Sequence, residues 1–254
     1  MIDLHCHILP SVDDGANSIE ESILMANKAI EQGITHLLCS PHHMNGRFVN
    51  YPNTIIEKVR ELQAEIQKEG LDLTLLSGQE VRLTSSLPES INNNEVLFID
   101  DNKYFLVEFP ASGIPVYAKQ VLWNLTRDGY CPILVHPERN IIFRNDPNEL
   151  IDYLDMGILT QVTAPSITGV FGKSIQKTAR KMLKHNMVHM VASDAHGLKN
   201  RDFYLKEAYQ EILKVCGADR VTEMKEMAVN VIKGEEIRYP AYHPVVKRKM
   251  FFFK

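Results

Sequence analysis

Much of what marks the common protein classes is missing from this 254-residue chain. None of its four cysteines, Cys6, Cys39, Cys131 and Cys216, forms a CxxC pair. Three of them sit in or beside apolar runs, where free buried thiols are expected. That excludes a disulfide framework and points to a reducing, cytoplasmic compartment. No apolar run is long enough to span a bilayer. No basic, apolar and small-residue series of the secretory kind opens the chain. The formal net charge is −4 and no basic stripe stands out, which argues against a nucleic-acid binder and against stable membrane insertion. No linker, low-complexity tract or internal repeat interrupts the chain, so residues 1–254 read as a single domain. The tail "KRKMFFFK" is basic and aromatic; a packed or frayed terminus explains it as well as a membrane or partner contact does.

What is present is alternation. Seven apolar, β-branched stretches read as strands: "MIDL", "THLLCS", "LTLLSG", "YFLVEF", "PILVHP", "GILTQVTA" and "VHMVASD". Helical patterns lie between them. Ser18 and Glu21 form a capping box, Ile19, Ile23, Ala26 and Ile30 share a face, and Gly33 closes the helix. Residues 53–69 repeat the pattern through Ile55, Val59, Leu62 and Ile66. Further helices fit 115–128, 147–156, 172–185, 201–214 and 219–233. Strand–helix repetition implies parallel strands wrapped by helices, and seven of them spread over the chain favour a closed α/β barrel. An open doubly wound sheet is the alternative, weakened because no glycine-rich phosphate loop follows the first strand.

Barrels of this class collect chemistry at the C-terminal ends of their strands. After the first strand come His5, His7, Asp13 and Asp14; after the second, His42 and His43. Glu80 follows the third, and Glu108 ends the fourth. His136, Glu138 and Arg139 follow the fifth, and Asp194 and His196 the seventh. A single such residue is ordinary loop. Six strands of seven ending in imidazole or carboxylate are not, because four carboxylates in one cleft repel unless cations compensate them. Mixed imidazole and carboxylate ligands suit Mn²⁺, Fe²⁺ or Zn²⁺ better than Ca²⁺ or Mg²⁺, and their number exceeds one tetrahedral site. His36, His185, His189 and His243 lack ligand-like partners and read as structural. Asp13 and Asp14 are interchangeable at this level. Glu138 either orients a ligand histidine or faces solvent, and Arg47 and Phe48 belong to a surface loop or a substrate wall.

The motifs "DLHCH", "PHH", "HPER" and "SDAH", in this order, resemble the polymerase and histidinol phosphatase (PHP) family. "HCHILPSVDDG", "GQEVRL" and "HPERN" are closer to its branch of manganese-dependent protein-tyrosine phosphatases, encoded with bacterial capsule and exopolysaccharide genes. The resemblance spans the whole chain. It implies a distorted (β/α)7 TIM-like barrel with a trinuclear Mn²⁺ site, Fe, Zn or Mg being possible occupants. It further implies that His5, His7, Glu80 and Asp194 hold one ion; that Glu80, Glu108 and His136 hold a second; and that Asp14, His42 and His196 hold a third. Arg139 and Arg201 would bind the substrate phosphate. A metal-bound hydroxide would be the nucleophile, with no cysteinyl-phosphate intermediate.

A cysteine-based phosphatase needs a C-x5-R loop, and the residues six beyond the cysteines are Val12, Asn45, Pro137 and Thr222. The expected partners are a bacterial tyrosine kinase, with its phosphotyrosine tail, and other phosphotyrosyl proteins. A small-molecule phosphomonoesterase such as a histidinol phosphatase is the alternative. A nuclease is a third reading, disfavoured by the acidic balance.

Overall fold

Each of the seven apolar stretches becomes a strand in the computed structural model, which describes residues 1–199, 201–238 and 240–246. The strands are β1 (Ile2–Cys6), β2 (His36–Cys39), β3 (His42–His43), β4 (Thr74–Ser77), β5 (Glu80–Arg82), β6 (Tyr104–Glu108), β7 (Cys131–Val135), β8 (Leu159–Thr163) and β9 (Met190–Ala192). Sequence patterning misses β3 and β5, because they are two and three residues long and polar at the positions that matter. The tail 247–254 lies outside the described residues.

All pairings are parallel. They form the orders β1-β2-β4 and β3-β5-β6-β7-β8-β9. Only two residues separate β2 from β3, and two separate β4 from β5, so the chain itself joins the sheets. A bridge between Cys6 and Ala195 then ties the run after β9 to β1. Asp194 N donates to His5 O, and His7 N to Ala195 O, both at 2.9 Å. The pairings thus run in a circuit, and every strand sends its C-terminal end to the same rim.

Helices cover the outside. Pro52–Lys68 buries Ile55, Val59, Leu62 and Ile66, as the spacing predicts. Ile19–Glu31 is rotated from expectation. Its most buried residues are Ser22, Met25, Ala26 and Ala29, with Ile19, Ile23 and Ile30 on the half-buried flanks. Ser22 Oγ donates to Ile8 O at 2.6 Å, a close approach that a larger residue would prevent. Ser18 caps this helix by accepting from Glu21 N at 3.3 Å, but Glu21 reaches Asn17 N rather than completing the reciprocal box. The helix expected over 147–156 is a 3-10 turn, Pro147–Leu150, leading into Ile151–Asp155. The helix expected from 201 starts at Leu205, since Tyr204 takes a left-handed backbone (φ 49°). The short helices Leu87–Asn92, Ile141–Asn145 and Ala164–Thr168 carry too few turns to show a period.

Inside the circuit lies an apolar layer to which seven strands contribute, through Leu4, Leu38, Leu76, Leu106, Ile133, Leu159 and Met190 among others. Met227, Ala228 and Val231 of the helix Ala218–Ile232 close it from below. Each such side chain contributes about 1.5–3 kcal/mol through burial. One irregularity prepares the site. Between Asp3 and Cys6, β1 runs three residues against two of β2, a bulge. Leu4 therefore joins the inner layer and Cys6 the outer core, while the imidazoles between and beyond are freed for the rim.

Candidate metal centre

Above the apolar layer, the strand ends bring nine side chains together. Three groups have ligand atoms within 4.8 Å of one another: His5, His7, Glu80 and Asp194; His42, Glu80 and Glu108; and His7, Asp14, His42 and His196. His136 joins through Glu80, its Nε2 lying 2.6 Å from Glu80 Oε1. In the first group, His5 Nε2 and His7 Nε2 are 3.2 Å apart and each is 3.3 Å from Glu80 Oε2. Asp194 Oδ1 lies 3.4 and 3.5 Å from the same two nitrogens. In the third, Asp14 Oδ1 is 3.4 Å from both His42 Nε2 and His196 Nε2. His42 also turns Nδ1 to Glu80 Oε2 at 2.9 Å, so its ring serves two groups.

The imidazoles are held by partners behind them. Gln161, fully buried in β8, accepts from His5 Nδ1 at 3.0 Å. Asp13 accepts from His7 Nδ1 at 2.6 Å, from Gly15 N at 2.9 Å and from His42 N at 3.0 Å. These bonds place the ring protons at Nδ1 and leave the Nε2 lone pairs facing the cleft. Asp13 is thus occupied as an orienting group, while Asp14 carries the free oxygen. A Cβ on Gly15 would stand 2.0 Å from His7 O, so only glycine lets this loop fold over the histidine. His136 (φ 39°) and Asp194 (φ 53°) hold left-handed backbones, each costing about 1–2 kcal/mol. His136 N to Gln161 O at 2.7 Å, together with the Asp194 bond to His5, fixes them there.

The electrostatics are those of crowded acids. Burial, and then the charge of Glu80, pushes Glu108 up to about 7, against Arg82, whose Nε and Nη2 lie 3.1 and 3.0 Å from its Oε1. Burial holds His136 and His196 down to about 4, helped by Arg139 and by His7 respectively. Burial opposes charge on His5 and His7 too. There the adjacent carboxylates prevail, Glu80 and Asp194 for His5 and Asp13 first for His7, and both rise. Despite burial, Asp13 sits at about 2 because of His7. Among the described residues, buried His42 Nδ1 and Glu80 Oε2, close as they are, and His196 Nε2 complete no hydrogen bond, an arrangement costing about 1–3 kcal/mol per atom. Converging lone pairs of imidazole and carboxylate, orphaned in this way, fit divalent cations.

Two guanidinium groups border the centre. Arg139 Nη1 bonds Asp194 Oδ2, and Arg201 Nη2 lies 2.8 Å from each Asp194 oxygen. The cleft they edge has a polar part of about 240 Å³, with Asp14, His42, Glu108 and His136 in its wall. An apolar arm of about 420 Å³ continues it, formed by Ala111, Phe171 and Ile175 with the same two arginines. Phe48 lies parallel to His42, and Arg47 Cζ stands 4.8 Å from the centre of the Phe48 ring.

Some expectations change. Glu138 neither orients a ligand histidine nor faces solvent; it is buried and accepts from Thr163 N and Oγ1 at 3.0 and 3.1 Å. His43 is buried outside the three groups, its Nδ1 accepting from Asn50 N at 3.2 Å. Arg82 and Gln161 are absent from the sequence reading. The signal for Arg82 was its place two residues after Glu80, on the same strand face; for Gln161, a polar residue in the middle of an apolar strand. Cys6 is fully buried, and that burial raises its thiol well above the usual range, the opposite of what a nucleophilic cysteine needs.

Residues 1–233 match the family described as "Capsular polysaccharide synthesis, CpsB/CapC". The chain is 37% identical over 253 residues to tyrosine-protein phosphatase YwqE of Bacillus subtilis (strain 168), covering 100% of both. It is 39% identical over 211 residues to the putative tyrosine-protein phosphatase CapC of Staphylococcus aureus, covering 83% of each. A solved structure from work on YwqE of Bacillus subtilis and CpsB of Streptococcus pneumoniae, described as unique metal-dependent tyrosine phosphatases, superposes with a TM-score of 0.94. Sequence identity there is 36%, over 97% of this chain and 100% of the other.

Proposed function

The chain belongs to the CpsB/CapC family, and from that premise we propose that it is a metal-dependent protein-tyrosine phosphatase acting in capsule or exopolysaccharide synthesis. Its substrates are phosphotyrosyl proteins: a bacterial tyrosine kinase, through its phosphotyrosine tail, and the proteins that kinase modifies. Residues 1–254 act as one catalytic unit in the cytoplasm. No described helix is long and apolar enough to cross a membrane, and all four cysteines are free thiols. Manganese is the proposed metal, in a three-ion site. The observation that carries this reading is the convergence of His5, His7, Asp14, His42, Glu80, Glu108, His136, Asp194 and His196 at one cleft edged by Arg139 and Arg201.

Divalent cations held there would supply Lewis-acid activation of water and neutralise phosphoryl charge. The protein's own groups do the rest. Gln161 and Asp13 keep protons at Nδ1 of His5 and His7, so that each Nε2 remains a ligand. Arg139 and Arg201 present planar N–H forks at the cleft edge, suited to paired phosphoryl oxygens. Phe171, Ile175 and Ala111 offer the adjoining apolar arm to a phenyl ring. A tyrosyl leaving group, with a phenol pKa of about 10, departs with little protonic help.

The test is metal analysis joined to activity. The expected result is hydrolysis of a phosphotyrosyl peptide that is lost on chelation and restored by Mn²⁺, with little turnover of histidinol phosphate or single-stranded DNA. Full activity in metal-stripped protein would overturn the reading, and a preference for histidinol phosphate would replace the substrate.

A further inference from the structure

The expectation of a chain without a basic stripe is corrected by the helix Lys173–Lys184. Lys173, Lys177, Arg180, Lys181 and Lys184 recur along it, and no acidic residue lies within it. A net charge of −4 hides the stripe because the compensating acids lie elsewhere. Arg180 pairs with Glu211 at 2.7 Å. The four lysines form no ion pair with a described carboxylate, and all four, Lys173, Lys177, Lys181 and Lys184, line a groove of about 380 Å³.

The placement of the stripe carries the argument. Its helix starts two residues after Phe171 and contains Ile175, both of which form the apolar arm beside Arg139 and Arg201. From there it leads away for about 16 Å at 1.5 Å per residue, the length of about five extended residues. The far end is flanked by the chain's own last described segment. His243 N donates to His185 O at 2.9 Å, and Asn186 Nδ2 to Ala241 O at 3.1 Å. Val245 N donates to Asn148 Oδ1 at 2.7 Å and Asn148 Nδ2 returns a bond to Val245 O at 3.0 Å. The sequence that follows, "KRK", is itself basic and cannot neutralise the stripe.

We propose that the helix Lys173–Lys184 docks an acidic peptide segment flanking the phosphotyrosine of the substrate protein. The proposal rests on the tyrosine-phosphatase reading and extends it to sequence context. A lipid surface is disfavoured because the helix turns most of its apolar side chains, Ala179, Met182 and Leu183, into the core, and the lysine row offers lipid charge without an apolar face to insert. Single-stranded nucleic acid is disfavoured because the helix carries no aromatic side chain for base stacking.

The experiment compares kcat/KM of the metal-loaded enzyme on three phosphotyrosyl peptides, neutral, acidic before the phosphotyrosine and acidic after it, each normalised to a small aryl phosphate. One acidic peptide is expected to be favoured about tenfold, through KM, with the advantage fading as salt is raised. The double variant Lys173→Glu with Lys177→Glu should abolish that preference, and Lys173→Arg with Lys177→Arg should keep it. Equal use of all three peptides, or a preference untouched by charge reversal, overturns the docking proposal. So does charge-dependent binding to phosphatidylglycerol vesicles or a DNA oligonucleotide without peptide preference. Absence of turnover on the small aryl phosphate by the unaltered enzyme would instead remove the phosphatase reading, and the docking proposal with it.

Discussion

Two layers fill the strand circuit, and they obey different physics. The lower one is Leu4, Leu38, Leu76, Leu106, Ile133, Leu159 and Met190. The upper is imidazole, carboxylate and guanidinium, carried on or just beyond the ends of those strands, one to four residues further on: His5 after Leu4, Glu80 after Leu76, Glu108 after Leu106, Asp194 after Met190. In the lower layer, attraction is non-directional and volume is the main constraint. In the upper layer, each atom's direction matters, and unpaired lone pairs raise the energy until something positive meets them. The apolar floor strengthens the upper layer, since excluding water from below lowers the local dielectric. Stability and function are therefore stacked on one another, and each can be disturbed separately.

The sharpest separation comes from Glu80, whose carboxylate is shared by two of the ligand groups. Glu80→Gln should reduce metal-dependent phosphatase activity by well over about a hundredfold, the upper range for merely supporting groups. Thermal unfolding in chelator should change little. Equal activity in the two proteins would show that the upper layer does not bind the working metal.

Leu106→Ala makes the opposite cut. It should lower unfolding free energy by about 2–5 kcal/mol in urea titrations, with manganese affinity preserved in the folded fraction. A loss of metal affinity without loss of stability would show that the layers are not separable. Between the extremes, Asp13→Asn weakens the hold on His7 while leaving every proposed ligand in place. Calorimetric titration should show manganese affinity reduced about 10- to 100-fold.

A milder probe lies at the opposite end of the strands, in the residue just before β9. His189 is buried and held down to about 3, by burial first and then by Arg220, while Thr160 N donates to its Nδ1 at 2.9 Å. Its folded-state value lies below the ordinary histidine value of about 6.5, so the unfolded chain takes up the proton first. Its contribution is intact above about pH 6.5 and declines as the pH falls toward 3. At pH 5 about 2 kcal/mol is lost. His189→Gln should flatten that part of the pH dependence of unfolding; an unchanged profile would assign the acid sensitivity to other groups. The smallest effect is expected from Phe171→Ala in the apolar arm. The ratio of aryl to alkyl phosphate turnover should fall roughly fivefold, through loss of apolar contact with the ring, and an unchanged ratio would place the ring elsewhere.

Legibility followed range. The parallel strands could be read because apolar runs of four or five residues are local signals, and Pro52–Lys68 buried the residues its period named. His5, Glu80, Glu108 and Asp194 could be nominated together because parallel strands end at one rim. The choice between Asp13 and Asp14 could not be read, since neighbouring carboxylates differ only in what their loop turns them toward. Nor could the role of Gln161, which supports a histidine 156 positions away. The reading of Glu138 failed for the same reason: its partner, Thr163, belongs to the next strand.

By itself, then, the amino-acid order determined the succession of strands and helices, the apolar stretches and the set of candidate site residues, because each depends on periodicity or on position relative to a strand end. Only the tertiary structure decided which ring nitrogen faces the cleft, which aspartate serves the histidine and which opens to the site, and that a row of lysines leads away from the two arginines. Those outcomes depend on distances of a few ångströms between residues far apart in the chain, and hydrogen bonds and charges are sensitive to such distances in a way that apolar burial is not.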